Sequence, residues 1–271
     1  MGFRISIPRS EWSKAIFVPG NMAWCSRSDR YPSRIYILTQ DLLGVFGHVD
    51  GSECPFVTKL RDLVELRSYK EVQSGAIDFM TNNFSRSFRY FPAQHQCVDS
   101  FLMGLRSLWL RSDGIELRKL VWPKEAAELS LSCRFLIENE LDPGETIIGM
   151  LVQSKTSQKR SWALDESIQC LETSCLTLTD LRLIWLNCTE LSGTRSSIVT
   201  VRYTPRGCIV DASVDPRQFH SSPLELAVRL KTQQLWRLSV EQQRTSVVEA
   251  LLKEFQGTQD NRHLHTNPSD G

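Results

Sequence analysis

Cys175-Leu176-Thr177-Leu178-Thr179-Asp180-Leu181-Arg182-Leu183-Ile184-Trp185 is the stretch whose reading decides the fold. Apolar and β-branched residues run up to a Thr-Asp turn and resume after it. That is the pattern of two antiparallel strands with one buried face. The chain writes the hairpin twice, because Ile35-Tyr36-Ile37-Leu38-Thr39-Gln40-Asp41-Leu42-Leu43 carries the same order around Thr39-Gln40-Asp41. Upstream of each hairpin a Pro-Gly turn feeds a strand-like run, Pro19-Gly20-Asn21-Met22-Ala23-Trp24 in one case and Pro143-Gly144-Glu145-Thr146-Ile147-Ile148 in the other. The interval from Pro-Gly to hairpin is longer in the second copy, and the surplus is read as a polar insertion at residues 154–172, between its first two strands.

Downstream the two copies keep one order. Residues 56–72 and 197–214 are each long enough for two more strands. Leu224 to Leu230 alternates, Lys231-Thr232-Gln233-Gln234 turns, and Leu235 to Val240 returns. Residues 76–91 repeat this around Asn82-Asn83. A helix follows each time. Val98, Phe101, Leu102, Leu105, Leu108 and Trp109 mark the first stripe, and Val247, Val248, Leu251, Leu252 and Phe255 the second. The expectation is a mainly β protein with helices, of about seven strands and a closing helix, twice over.

A Pro-Gly entry, the hairpin with Leu178-Thr179-Asp180-Leu181-Arg182-Leu183-Ile184-Trp185 at its turn, a late alternating hairpin and a terminal helix together resemble the pleckstrin-homology superfold. The similarity is to its GRAM branch and to the tandem pleckstrin-like subunit of the ciliary BBSome coat. The first copy departs from the pattern, with Leu42-Leu43-Gly44 where an arginine is expected. The resemblance implies two seven-stranded β-sandwiches, each capped by a C-terminal helix, at residues 13–112 and 131–256. Residues 1–12 are then an extension, 113–130 a connection and 257–271 a disordered tail. Ile115 to Trp122 is a candidate extra strand for either unit.

Composition narrows the function classes. With 32 basic against 31 acidic residues among 271 and a net charge of +1, no overall field attracts nucleic acid or anionic membrane, so nucleic acid is not an expected partner. Eight cysteines are scattered without a Cys-x-x-Cys pair or metal spacing, which reads as reduced thiols, and neither a metal nor a cofactor is expected. No signal-peptide pattern or membrane-span run appears, so the expected location is cytoplasmic or peripheral to a membrane, with the nucleus left open. Nucleotide, zinc-protease and nucleophile-elbow signatures are lacking, and the five histidines show no paired spacing, so no catalytic residues are assigned and the chain is read as non-enzymatic. Gly2 with Ser6 fits an N-myristoylation pattern, but Phe3 beside the glycine makes chance the better explanation.

Candidate sites come from the resemblance. Pleckstrin-type folds that hold inositol phosphates draw cations from the loop between the first two strands, since phosphate needs charge-assisted donors. The corresponding residues are Arg27, Arg30 and Arg34 in the first copy, and Lys155, Lys159 and Arg160 in the second. A merely solvated loop is the competing reading. Trp162, behind Lys159-Arg160, is a candidate aromatic anchor, and Trp122, before Pro123, a candidate inter-domain or partner contact. Trp109, Trp185 and Trp236 fall on buried periods. Residues 197–203 are a candidate free edge for strand addition. The expected function is an adaptor or scaffold binding protein partners in a multi-subunit trafficking or ciliary complex. The alternatives are a phosphoinositide-binding membrane module and a nuclear peptide-recognition subunit.

Overall fold

The computed structural model describes residues 6–19, 21–22, 30–31, 33–47, 55–71, 74–110, 120–142, 144–161, 167–191, 197–214, 224–241 and 244–263. The chain is mainly β. Its strands are β1 (Lys14–Val18), β2 (Asn21–Met22), β3 (Arg30–Tyr31), β4 (Arg34–Leu38), β5 (Leu42–Gly47), β6 (Phe56–Lys59), β7 (Leu63–Lys70), β8 (Gly75–Thr81) and β9 (Ser85–Tyr90). Helix α1 (His95–Leu110) follows, then a 3-10 turn at Lys124–Glu128 and helix α2 (Leu131–Glu140). The remaining strands are β10 (Ile147–Ser161), β11 (Ser167–Thr179), β12 (Arg182–Leu191), β13 (Ser197–Pro205), β14 (Ile209–Val214), β15 (Leu224–Leu230) and β16 (Leu235–Val240), closed by α3 (Thr245–His263).

Setting aside the short β2–β3 ribbon, the element order recurs: four strands, a 3-10 turn, three strands, a helix. The sheets do not simply recur. One sheet runs β1-β4-β5-β6 and another β14-β15-β16, but β10-β11-β12-β13-β7-β8-β9 is continuous across seven strands. It is fused at β13 and β7, which pair antiparallel with Val199 opposite Lys70 and Tyr203 opposite Leu66. The edge at residues 197–203, expected to be free for a partner, is therefore filled on one side by β12 and on the other by β7 of the same chain. Strand addition has happened inside the molecule, which removes two exposed edges at once.

The fusion explains the near-continuous apolar character of the second hairpin. Leu151, Leu176, Leu178 and Leu183 face a core shared with β14–β16 and with Val248, Leu251 and Phe255 of α3. Met150, Val152, Cys175, Ile184, Leu186, Val201 and Tyr203 face the larger core, shared with the first half and with Cys133 and Ile137 of α2. A sheet covered on both faces loses the polar half of its alternation.

Helix α2 was not expected. It is short, and it holds its place through the Ser130 hydroxyl, which accepts from the Cys133 N–H at 3.2 Å, and through burial of Cys133, Ile137 and Glu140 on one face. Helix α1 begins where Pro92 and Gln94 organise the first turn, the Gln94 side chain accepting from the Phe91 N–H at 3.1 Å. Helix α3 continues to His263, so the stretch read as tail is helical over its first part, and residues 264–271 lie outside those described.

Candidate functional site

Two buried polar clusters occupy opposite faces of the fused sheet. On the face of the larger core, Arg106 of α1 donates to the Glu140 carboxylate of α2 and, at 3.1 Å, to the Tyr203 hydroxyl of β13, while that hydroxyl donates to Glu140. Arg182, fully buried, completes the cluster. Its Nε and Nη2 reach Glu145 at 2.9 and 2.5 Å, and Nη2 reaches the Glu140 carbonyl at 2.7 Å. Both guanidiniums lie close to the Tyr203 ring, that of Arg106 at 5.1 Å and that of Arg182 at 5.6 Å from its centre. Burial, and after it the Glu140 charge, hold the Tyr203 phenol protonated with a pKa well above the usual tyrosine value.

On the other face Glu65 of β7 is fully buried. It accepts from Arg202 Nε of β13 at 2.7 Å and from Trp236 Nε1 of β16 at 3.2 Å. The Arg202 guanidinium is stacked 5.1 Å from the Trp185 ring and 4.5 Å from that of Trp236. Arg202 lies directly opposite Arg67 across the β13–β7 pairing, a like-charge pair that would repel. Glu65 at 3.6 Å and Asp78 at 3.7 Å from Arg67 supply the counter-charge. Burial lowers the Arg202 pKa from the usual arginine value, and Glu65 works against it. Thr204 adds a hydroxyl bond to the Val64 carbonyl at 2.8 Å. Every carboxylate in these clusters is committed to an arginine, and both clusters flank the β13–β7 seam. Their chemistry is cohesion.

Of the residues expected to bind phosphate, Arg34 alone has a described side chain. Arg34 is not a loop residue: it is 4% exposed on β4, donates to the Arg89 carbonyl at 2.8 Å, and has its guanidinium 5.2 Å from the Phe88 ring. Arg30 falls on β3, and Arg27 lies outside the described residues. Lys155, Lys159 and Arg160 belong to β10, whose long hairpin with β11 takes up the insertion expected as a loop. Positions 159 and 160, paired with 169 and 168, are consecutive on the strand and so belong to opposite faces of the ribbon. Position 155 falls at a register irregularity between Gln153 and Thr156. Trp162 lies outside the described residues. Trp122, expected between the domains or at a partner contact, is half-buried against the larger core, which both halves line. Trp109, Trp185 and Trp236 pack as their periods require.

The surface that remains open is apolar or mixed. Leu131 and Phe135, one helical turn apart on α2, are 83% and 64% exposed, and Val121 is 71% exposed. A cleft of about 330 Å³ lies between the 3-10 turn, the start of β10 and α3, lined by Pro123, Lys124, Ile148, Gly149, Val247 and Ala250. A second, of about 410 Å³, is lined by Asp41, Leu42, Lys59, Arg61 and Trp109. Sequence reasoning passed over the first because its walls come from three segments far apart in the chain. The apolar run Ile147-Ile148 flanked by a glycine at 149 was the available signal. Among the described residues no group of His, Cys, Asp and Glu could hold a metal ion, and no helix is long and apolar enough to cross a membrane. Compared with known proteins, the chain matches no family model, no curated protein and no solved structure.

Proposed function

We propose that this chain is a non-enzymatic adaptor: two pleckstrin-like units, residues 13–112 and 131–256, locked into one rigid body that holds protein partners in a multi-subunit assembly. The observation that carries this reading is the seam. A seven-stranded sheet runs through both halves, with a buried ionic cluster on each face. Such a seam fixes the relative placement of every surface on the two halves, which is what a scaffold needs and what a flexible tether cannot give. The recurrence of four strands, three strands and a helix supports the pleckstrin-like assignment of each half. The exposed Val121, Leu131 and Phe135 supply apolar surface of the kind that partner interfaces cover. Trafficking or ciliary coats are the assemblies this type of subunit fits.

The reading is tested by purifying the tagged full chain from cells under native salt and weighing the recovered complex. A defined complex of fixed stoichiometry is expected. Recovery of the chain as a lone monomer, with strong co-sedimentation on phosphoinositide liposomes that is lost on reversing Lys155, Lys159 and Arg160 to glutamate, would replace the adaptor with a membrane module.

A further inference from the structure

Six strands end the three larger sheets, and five of them carry a charge that discourages another strand from pairing: Lys14 on β1, Lys59 on β6, Arg86 and Arg89 on β9, Asp211 on β14 and Arg237 on β16. The sixth, β10, carries Lys155, Lys159 and Arg160 in its second half but opens with Ile147-Ile148-Gly149-Met150-Leu151-Val152, six residues with neither charge nor proline. Helix α3 and the 3-10 turn at Lys124–Glu128 both pack against this strand. Among the described residues, Ile148, Gly149 and Met150 make no backbone hydrogen bond outside the β10–β11 ladder. A bulge between Ile147 and Gly149 takes Ile148 out of register with β11. Bulges of this kind re-aim a side chain at the rim of a sheet.

The walls of the cleft beside this edge are preformed. Helix α3 packs so closely there that a side chain at Gly149 would meet Leu251 at 2.7 Å, which fixes one wall against the strand. Val247 and Ala250 of α3, with Pro123 before the 3-10 turn, give the cleft its apolar walls, and Lys124, Glu125 and Glu254 its charged rim; its volume of about 330 Å³ is within the range of sites that seat a ligand. Ala250, an exposed position on α3, leaves depth where a larger residue would fill it. The first residues of β10, uncharged and, among the described residues, unpaired on their outer side, offer backbone donors and acceptors at the floor of this slot.

We propose that this slot receives an extended peptide segment of a partner protein, which pairs with β10 along Ile148–Met150 as an eighth strand and seats an aliphatic side chain between Pro123 and Ala250. The proposal rests on the adaptor reading and gives that adaptor a recognition mode. The molecule already uses this mode internally, where β7 adds to β13. Main-chain pairing supplies affinity and the side-chain pocket supplies selectivity.

The test is selection of linear random peptides displayed on phage against the immobilised full chain, followed by affinity measurement with synthetic peptides. Selected peptides are expected to carry an aliphatic residue and to weaken about tenfold or more against Ala250→Arg, an exposed helix position whose change fills the slot without touching the core. Ala250→Ser leaves them within about twofold. N-methylation along the peptide abolishes binding at every second residue, the signature of one-sided strand pairing. No enriched sequence, equal binding to Ala250→Arg, or N-methyl effects without a period of two each overturn the proposal. Because the native complex is weighed separately, those results would leave the adaptor standing and move its contact surface elsewhere.

Discussion

The turn at Thr39 and the turn at Thr179 are built alike and serve different ends. In each, the threonine hydroxyl accepts two backbone N–H groups, those of Asp41 and Leu42 at 3.2 and 2.9 Å in one, and of Leu181 and Arg182 at 3.3 and 3.0 Å in the other. The residue after the turn then diverges. Leu42 is a half-buried apolar side chain beside an open cleft, whereas Arg182 is fully buried among Glu145, Asp142 and the Glu140 carbonyl. Short-range sequence dictates the turn in both copies. The seam dictates the residue that comes next, and only the second copy's first sheet reaches the seam.

The comparison breaks most easily at that residue. Arg182→Ala leaves Glu145 and Asp142 buried without their counter-charge, and the expected loss is about 3–5 kcal/mol. Leu42→Ala at the matching position removes only partly buried surface and is expected to cost under about 2 kcal/mol. Urea midpoints of the two variants measure both. Equal losses would mean that the buried cluster is no more cohesive than an ordinary turn contact.

The seam can also be compared with the periphery. A double-mutant cycle on Glu65→Gln and Arg202→Met is expected to give a coupling of about 0.5–3 kcal/mol, because Arg202 is clamped by two indoles and Glu65 is fully buried. The pair Arg237–Glu225, at 2.7 Å but exposed on the far sheet, should give about 0.2–1 kcal/mol and lose it in high salt. A seam coupling no larger than the peripheral one would mean that the halves merely touch.

Returning to the turns, Thr179→Val removes a hydroxyl that also donates to Glu145 at 2.6 Å, so about 1.5–3 kcal/mol should be lost. Thr39→Val loses only bonds to backbone amides and should cost about 0.5–1.5 kcal/mol. Thermal unfolding of the two variants orders them, and a reversed order would separate the Thr179 hydroxyl from the ionic cluster.

The hairpins and closing helices were legible, because they are written in periods of two and of three to four that survive without tertiary context, but the Pro-Gly entry was not a repeat: Gly144 precedes β10, whereas Pro19 follows β1. The β4–β5 and β11–β12 hairpins, the late hairpins and both helix stripes stand where the periods put them. The seam was not legible. Whether residues 197–203 lie at an edge depends on Lys70 meeting Val199, a pairing between segments that share no local pattern. Arg34 misled for a related reason. An arginine near a turn reads as solvated, and only the fold reveals Phe88 and the Arg89 carbonyl waiting for it. The hint that was available lay in β10–β12, whose apolar runs are too continuous for a sheet with one wet face.

Cys175 reports on that second face. It lies on β11 toward α2 and the larger core, where burial pushes its thiol up to about 12. A protonated, enclosed thiol is a poor nucleophile. In native protein at about pH 8, Cys175 should therefore resist an alkylating reagent that modifies the half-exposed Cys97, as mass spectrometry of digested protein would show. Slow labelling that does appear at Cys175 would then measure how often α2 lifts from the sheet. Adding Cys133→Ser leaves a polar hydroxyl on the buried face of α2 and should speed that labelling while global stability falls little, whereas parallel changes in both would make α2 part of the same cooperative unit as the seam.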